Sequence, residues 1–317
     1  MINTVVVTGA SGYIGGEVAL KLKDAGYTVV GIDLRLCPAN LADSFDLFVQ
    51  GDFSDDDSID VVLNCDPVAV IHCAGTSLVG PSVTNPELYY NNNVVKTLHF
   101  LDQIKPLYSK TRFIFSSSAS VYGTPIIVPC NEVDPCEPIS PYGESKRMVE
   151  QVLASYHTAY NLDYVAFRYF NACGADSQAR HGQEPGATHI IARILESIKQ
   201  DTQFVCNGSD YDTPDHTCVR DYIHVEDIAD AHILALHQSI AAGVYNIGTS
   251  SGISNLEVIQ AASEVTDRKF TVQYGPRREG DPAVLTADPA KFQSVSIWKP
   301  KYNLKDMISH AWNWYNR

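Results

Sequence analysis

Residues 4–15 read TVVVTGASGYIG. A β-branched apolar run breaks into Gly9, Gly12 and Gly15, and an apolar pattern of helical period resumes at once through residue 25. Strand, glycine turn and helix in that order make the opening unit of a βαβ layer. The unit recurs along the first half of the chain. YTVVGID (27–33), VAVIHCAG (68–75), RFIFSSS (112–118) and DYVAFRYFN (163–171) are short apolar runs, and segments 86–104 and 142–160 carry helical period between them. Strands that are apolar throughout, rather than alternating, suit a sheet covered on both faces. The pattern predicts an α/β fold built on a Rossmann-type, doubly wound parallel sheet. Past Asn171 the character changes: 172–188 are rich in Gly, Ala, His and polar residues with little periodicity, and short mixed segments follow. A first domain over 1–172 and a smaller mixed α/β domain over 173–317 are expected. The region 219–250 is expected to rejoin the first domain through a helix over 221–237 and the strand GVYNIG.

A chain of 317 residues, 45% hydrophobic and 19% charged, buries a core large enough for two domains. Its formal net charge of −14, from 37 acids and 23 bases, repels nucleic acid and anionic membrane surfaces. An anionic ligand must then be held by a few local arginines or by backbone N–H groups. The start MINTVVVTGA has no basic region or cleavage site, and no run approaches the roughly 18 apolar residues of a membrane span, so a cytoplasmic location is expected. Cysteines 37, 65, 73, 130, 136, 173, 206 and 218 are scattered without zinc-type spacing, which predicts reduced thiols and no structural metal.

Glycines between a strand and a helix let the backbone approach a pyrophosphate, which then sits on the unpaired N–H groups of the helix start. The next strand ends in Asp33, 18 residues after Gly15, where a carboxylate takes both hydroxyls of a ribose. That carboxylate would repel a 2′-phosphate, which favours NAD over NADP, with Arg35 nearby as the opposing feature. Asp52 follows the third apolar segment and suits an adenine contact. The strand RFIFSSS delivers serines to the end of the sheet where ligands gather. Tyr142, 24 positions after Ser118, opens a helix on which Lys146 lies one turn along the same face. A phenol beside an ammonium and a nicotinamide cation has its ionised form favoured, and a serine hydroxyl can share the proton it takes. The same helix carries two apolar stripes, Tyr142, Lys146, Val149 and Leu153 in one and Met148, Val152 and Tyr156 in the other. A second subunit or a broad core-facing surface would each explain them.

TGASGYIG, SSSASVYG, SPYGESK, RYFNACGAD, DYDTPDHTCVRDYIHVEDIADAH, YNIGT and RREGDPA together resemble the UDP-glucose 4-epimerase family of the extended short-chain dehydrogenases/reductases, from residue 4 to the C-terminus. The resemblance implies an isomerase with tightly bound NAD, inversion of C4 of a UDP-hexose through a 4-keto sugar, and a homodimer. It implies catalytic roles for Ser118, Tyr142 and Lys146. It implies NAD contacts from Gly9, Gly12, Tyr13, Ile14, Gly15, Asp33, Asp52, Phe53, Cys73, Ala74, Gly75, Asn93, Ser116, Tyr142, Lys146, Tyr169 and Phe170. The UDP-sugar, held largely by the second domain, falls to Ser118, Asn171, His189, Arg220, Arg278, Asp281 and Leu285, with Arg277 as the alternative to Arg278.

The chain departs from the family's pattern at Ser77, where some members have lysine, at Asn207, aromatic in many, and in a shortened segment at 182–191. Leu285 stands where an aromatic side chain is thought to exclude 2-N-acetyl sugars, so interconversion of UDP-GlcNAc and UDP-GalNAc stays open. A 4,6-dehydratase of the same fold needs an Asp-Glu pair where Ala119 and Ser120 stand. A non-catalytic NAD sensor has no use for the serine, tyrosine and lysine.

Overall fold

The computed structural model describes residues 3–237, 239–277 and 281–317. In chain order its strands are β1 Thr4–Thr8, β2 Thr28–Asp33, β3 Leu47–Gln50, β4 Ala69–His72, β5 Arg112–Ser118, β6 Tyr164–Tyr169, β7 Asn171–Cys173, β8 Phe204–Asn207, β9 Val219–His224, β10 Gly243–Ile247, β11 Gly252–Ser254, β12 Val272–Gly275 and β13 Val284–Leu285. Seven of them form one parallel sheet in the order β10-β6-β5-β4-β1-β2-β3. The chain winds outward from β1 to β3 and then crosses back to β4, so the strand order reverses between β1 and β4 and a crevice opens at their C-terminal ends.

Both faces of this sheet are apolar because successive side chains alternate sides. Val5 and Val7 of β1 join Ile71, Ile114, Val165 and Phe167 in one core beneath the helix Val225–Ala235, together with Phe292 and Trp298. Val6 faces the other way, with Val70, Phe113 and Phe115, against Phe100 and Leu101 and against Val149 and Leu153 of the helix Pro141–Tyr160. The segment 86–104 does form a helix, in three continuous stretches: Pro86–Tyr89, a wider π-type turn at Tyr90–Val95, and Lys96–Gln103. A third core gathers the helices Ile190–Gln200, Asn255–Thr266 and Leu304–Tyr315. Beside it lies a smaller sheet in which β9 pairs with β7, β11 and β13, and β8 pairs separately with β12.

The helix expected over 221–237 begins later. Asp221 to His224 complete β9, and the helix runs Val225–Ala235 with the His224 imidazole capping the Glu226 N–H. Pairing with several neighbouring strands satisfies the β9 backbone more fully than an early helical turn would. From there the chain returns to the large sheet: Val225–Ala235 packs on the helix Tyr13–Asp24, and β10 becomes the strand beyond β6.

Two buried histidines tie polar groups into the first core. His72 lies between Thr8 Oγ1 at 2.7 Å and Thr97 Oγ1 at 3.1 Å, and burial, with Lys146 adding to it, lowers its pKa to about 3. His232 faces Tyr169 Oη at 2.6 Å and the Ile228 carbonyl at 2.9 Å, and burial lowers it to about 4. Both are neutral in the fold and take protons more readily once unfolded. Their contribution is complete above about pH 6.5 and is lost as the pH falls toward the folded values. Denaturant midpoints measured from about pH 7.5 down to about pH 4.5 should therefore fall progressively, and His72→Gln should flatten that fall.

Candidate active site

Ser116, Ser117 and Ser118 leave β5 at the C-terminal edge of the sheet. Ser118 Oγ accepts the Ser120 N–H and donates to Ser120 Oγ, both at 3.1 Å, which fixes the turn Ala119–Tyr122. The helix Pro141–Tyr160 starts sharply, with Ser140 Oγ accepting the Gly143 N–H at 3.1 Å and Pro141 in the first turn. That start presents Tyr142 to Ser118, within hydrogen-bonding reach of its phenol, and puts Lys146 one turn on. Lys146 Nζ donates to the Ser116 carbonyl at 2.9 Å and sits 4.8 Å above the Phe115 ring.

Burial dominates the electrostatics of this group. It lowers Lys146 to about 8, with Cys73 and Glu150 opposing. It raises Tyr142 above the ordinary phenol value, opposed by the Ser118 hydrogen bond and assisted by Tyr89. The spacing of Tyr142 and Lys146 predicts a phenol whose ionised form an ammonium and a nicotinamide cation together favour. The protein's own side chains supply only part of that charge, and burial holds the phenol above its ordinary value.

The glycine turn lies at the reversal of strand order. Gly9 has φ +71°, and a Cβ there would come within 2.6 Å of the Ala74 nitrogen just beyond β4. A Cβ on Gly15 would lie 2.2 Å from the Gly9 carbonyl. Gly12 is the N-cap of Tyr13–Asp24 and has no side chain to cap it, so helix N–H groups are free to face an anion. Asp33 is aimed from the end of β2 by the Ser11 N–H and the Arg35 N–H, both at 2.9 Å. At Asp52, burial is outweighed by Lys96, at 2.5 Å, and by Ser54, so the carboxyl is held below its usual value.

Other expected cofactor contacts gather at the ends of β4 and β5. Gly75 has φ +146°, and a Cβ on it would meet Asn93 Oδ1 at 2.9 Å and Lys146 Nζ at 3.7 Å. Asn93, in the π-type turn, clamps Thr76 by accepting from its N–H at 2.7 Å and donating to its carbonyl at 3.0 Å. Cys73 accepts from Ser116 Oγ at 3.1 Å, and Ser116 Oγ meets Tyr169 Oη at 3.2 Å. Tyr13 donates to the Gly174 carbonyl at 2.8 Å, and Ile14 packs on the first core. Phe53 turns its ring to His72 and Phe100. Phe170 packs with Ala119, Tyr122 and Ala287 below the serine turn.

The residues expected to hold a second ligand lie on the smaller sheet. Asn171 opens β7. Arg220, on β9 and buried, donates to Asp281 Oδ1 at 2.6 Å, and Asp281 Oδ2 accepts Tyr211 Oη at 3.2 Å. Leu285 stands opposite Arg220 in the β9–β13 register and packs against the cluster of Ala119, Tyr122 and Phe170, which links this group to the serine turn. His189 caps Ile190–Gln200 and shares a hydrogen bond of 2.7 Å with Gln183. Arg278 lies outside the described residues. Arg277 pairs with Asp210 and covers the Tyr211 ring at 4.4 Å. Ser77 is exposed, and Asn207 ends β8.

Three contributors escape a reading of sequence motifs. Ser145 accepts from Asn93 Nδ2 at 2.9 Å and donates to the Tyr142 carbonyl at 2.7 Å, which ties the π-type turn to the helix Pro141–Tyr160. Glu150 and Arg168 form a bidentate pair at 2.7 and 2.9 Å behind Ser117, which donates to Glu150 at 2.6 Å. An arginine inside the apolar run VAFRYF was the available signal for the last.

The model of the NAD dependent epimerase/dehydratase family matches residues 5–248. The chain belongs to that family. It is 40% identical to a UDP-glucose 4-epimerase of Halalkalibacterium halodurans, over 98% of this chain and 95% of that one. Among solved structures, a UDP-glucose-4-epimerase from Stenotrophomonas maltophila with bound NAD and formylated UDP-arabinopyranose superposes with a TM-score of 0.93 at 33% identity, covering 100% of this chain and 98% of that one. The enzyme from Bifidobacterium longum in complex with NAD+ and UDP gives 0.91 at 34% identity, covering 99% and 98%.

The cradle fits the family's cofactor: no side chain blocks the backbone at Gly9, Gly12 and Gly15, the Asp33 carboxylate is held at the end of the next strand, and the crevice is at the strand reversal. Gly15→Ala should force the turn apart. The NAD recovered from purified protein after denaturation should drop at least about tenfold relative to wild type, quantified by chromatography.

Proposed function

We propose that the protein interconverts UDP-glucose and UDP-galactose by inverting C4 of the hexose through a transient 4-keto sugar, with NAD retained throughout. The observation that carries this reading is the grouping of Ser118, Tyr142 and Lys146 at one strand end beside the glycine cradle. The named relatives, which are UDP-glucose 4-epimerases, support it. NAD, when bound, supplies the acceptor that takes the C4 hydride and returns it, and its positive charge favours the phenolate.

Tyr142 Oη is then the group that takes the proton of the sugar 4-hydroxyl, and Ser118 Oγ is the hydroxyl that bridges the two oxygens. The proton is returned to the same oxygen when the hydride comes back on the other face. A buried phenol suits both halves, because a base that is too acidic would not give the proton back. Lys146, held to the Ser116 carbonyl, is placed to bond a ribose hydroxyl and to keep positive charge near the phenol. Arg220, with Arg278, Asn171, His189 and Asp281, is assigned to the UDP moiety: a guanidinium gives bidentate contact with phosphate, which a chain of net charge −14 needs locally.

Ala119 and Ser120 offer no carboxyl pair for elimination, which speaks against a dehydratase. Leu285, beside Phe170 and the serine turn, favours a second reading in which 2-N-acetyl sugars are also accepted. Met148, Val152 and Tyr156 stay half exposed on the catalytic helix, next to exposed Leu88 and Val95 on the neighbouring helix, and we assign this two-helix face to a homodimer. Eight free thiols fit a reducing, cytoplasmic setting.

Purified protein given UDP-galactose without added NAD should form UDP-glucose. Product formation that requires stoichiometric NAD or NADH would sink the reading. Tyr142→Phe should keep its NAD and lose at least about 10²-fold in turnover, and UDP-GalNAc supplied in parallel tests the consequence of Leu285. Sedimentation equilibrium should return twice 34.8 kDa, and Val152→Glu should return the monomer.

A further inference from the structure

Glu17 is fully buried on the helix that carries the glycine turn, and neither of its carboxylate oxygens has a hydrogen-bond partner. Two further buried carboxylates converge on it. An oxygen of Glu17, one of Asp176 and one of Glu226 all lie within 4.8 Å of one another. The nearby cations are already engaged: Lys21 Nζ bonds Glu226 Oε2 at 2.5 Å, and Arg180 divides its guanidinium between Asp176 at 2.7 Å and Asp24 at 3.0 Å. Glu17, Asp24, Asp176 and Glu226 against Lys21 and Arg180 leave a surplus of two negative charges, one of them relieved by the half-exposed position of Asp24.

A buried, unpaired carboxylate is expensive, and two things remove the expense, a proton or a cation. Burial, reinforced by Asp176 and Glu226, pushes the Glu17 carboxyl well above its ordinary value. Yet a protonated Glu17 would have an O–H with no acceptor in reach. A metal ion satisfies all three carboxylates at once. The three oxygens lie close enough together for one ion to bridge them, and Ca²⁺ accepts protein carboxylates in flexible geometry, whereas Mg²⁺ demands near-ideal octahedral geometry and keeps its waters. An all-carboxylate set is a hard-cation set and excludes the softer metals that want nitrogen or sulfur.

Both other carboxylates keep lone pairs for the purpose. Glu226 Oε1 accepts the Ser177 N–H, at 2.5 Å, and Asp176 Oδ2 accepts Arg180. We propose that Glu17, Asp176 and Glu226 bind one Ca²⁺, which clamps the cofactor helix Tyr13–Asp24 to the turn at Asp176 and to the start of the helix Val225–Ala235. The spacing of the cysteines and histidines, from which no metal is expected, carries no information about a site made of carboxylates from three distant segments. Glu17 is two residues beyond Gly15, and Tyr13, one turn before it on the same helix, already bonds the Gly174 carbonyl, so the clamp also stiffens the floor of the dinucleotide site.

The test uses the full chain with its cofactor, stripped with EGTA, desalted and titrated calorimetrically with CaCl₂ at neutral pH. The expected result is one equivalent bound per chain with a Kd below about 1 mM, tighter than for MgCl₂. The unfolding temperature should rise by about 5 °C at a hundredfold excess over Kd. Glu17→Gln should weaken binding at least about tenfold, with Asp176→Asn as the second variant should the first misfold. Absence of saturable Ca²⁺ binding to the wild-type chain overturns the proposal, as does undiminished binding to a folded Glu17→Gln. If wild type binds no Ca²⁺ and Glu17→Gln is equally or more stable, the carboxyl holds a proton and there is no cation site.

Discussion

The buried pair of Arg168 and Glu150 is the contact on which the rest of the active end of the sheet depends. Arg168 comes from β6 and Glu150 from the helix Pro141–Tyr160, and their side chains are 2% and 1% exposed. Charges at that depth are tolerable only when every donor and acceptor is met. Here Ser117 supplies a further donor to Glu150, and Tyr122 accepts from Arg168 while donating to Asn246 of β10. Five segments are locked by one network: β5, β6, β10, the turn Ala119–Tyr122 and the helix Pro141–Tyr160. Removing either charge would strand the other, at about 3–5 kcal/mol, so the pair specifies geometry more than it adds net stability. What it specifies is the position of Ser118, one residue beyond Ser117, relative to Tyr142, two turns before Glu150 on the same helix.

The same depth of burial governs the chemistry. A dry pocket moves Lys146 down to about 8 and Tyr142 up, each away from its charged form. Positive charge that arrives with a ligand therefore acts on a phenol in low dielectric, where it weighs far more than in water. A pocket of this kind can hold the base protonated until the complex is assembled, which couples proton removal to occupancy. On the smaller sheet the sign is reversed: Arg220 stays charged because Asp281 faces it, and Tyr211 orients that carboxylate.

The parallel sheet, the glycine turn, the aimed Asp33 and the serine–tyrosine–lysine grouping were legible in the sequence because each is a local signal: an apolar run, three glycines, a spacing of four on a helix. What was not legible depends on segments far apart in the chain. The helix expected to start at 221 starts at Val225, since the pairing partners of β9 come from residues 171–173, 252–254 and 284–285. The depth at which Tyr142 and Lys146 lie was not legible for the same reason. Spacing shows that Lys146 is near, but only the fold shows how deeply both are buried. Asn93 was legible as a residue and not as a device, because the π-type turn that aims it at Thr76 and Ser145 has no periodicity of its own.

Leu285 shows how the two regions meet in function. Its backbone belongs to the smaller sheet, opposite Arg220, while its side chain packs against the apolar cluster that includes Phe170, Ala119 and Tyr122. Leucine fills less space than an aromatic ring and is held by apolar contact alone, so the wall can yield by rotamer change without breaking a hydrogen bond. The larger sheet has no such latitude, because its serine turn is fixed through Ser117 to the Glu150–Arg168 pair. The Leu285 side of the crevice can then adapt while the placement of Ser118 relative to Tyr142 stays fixed.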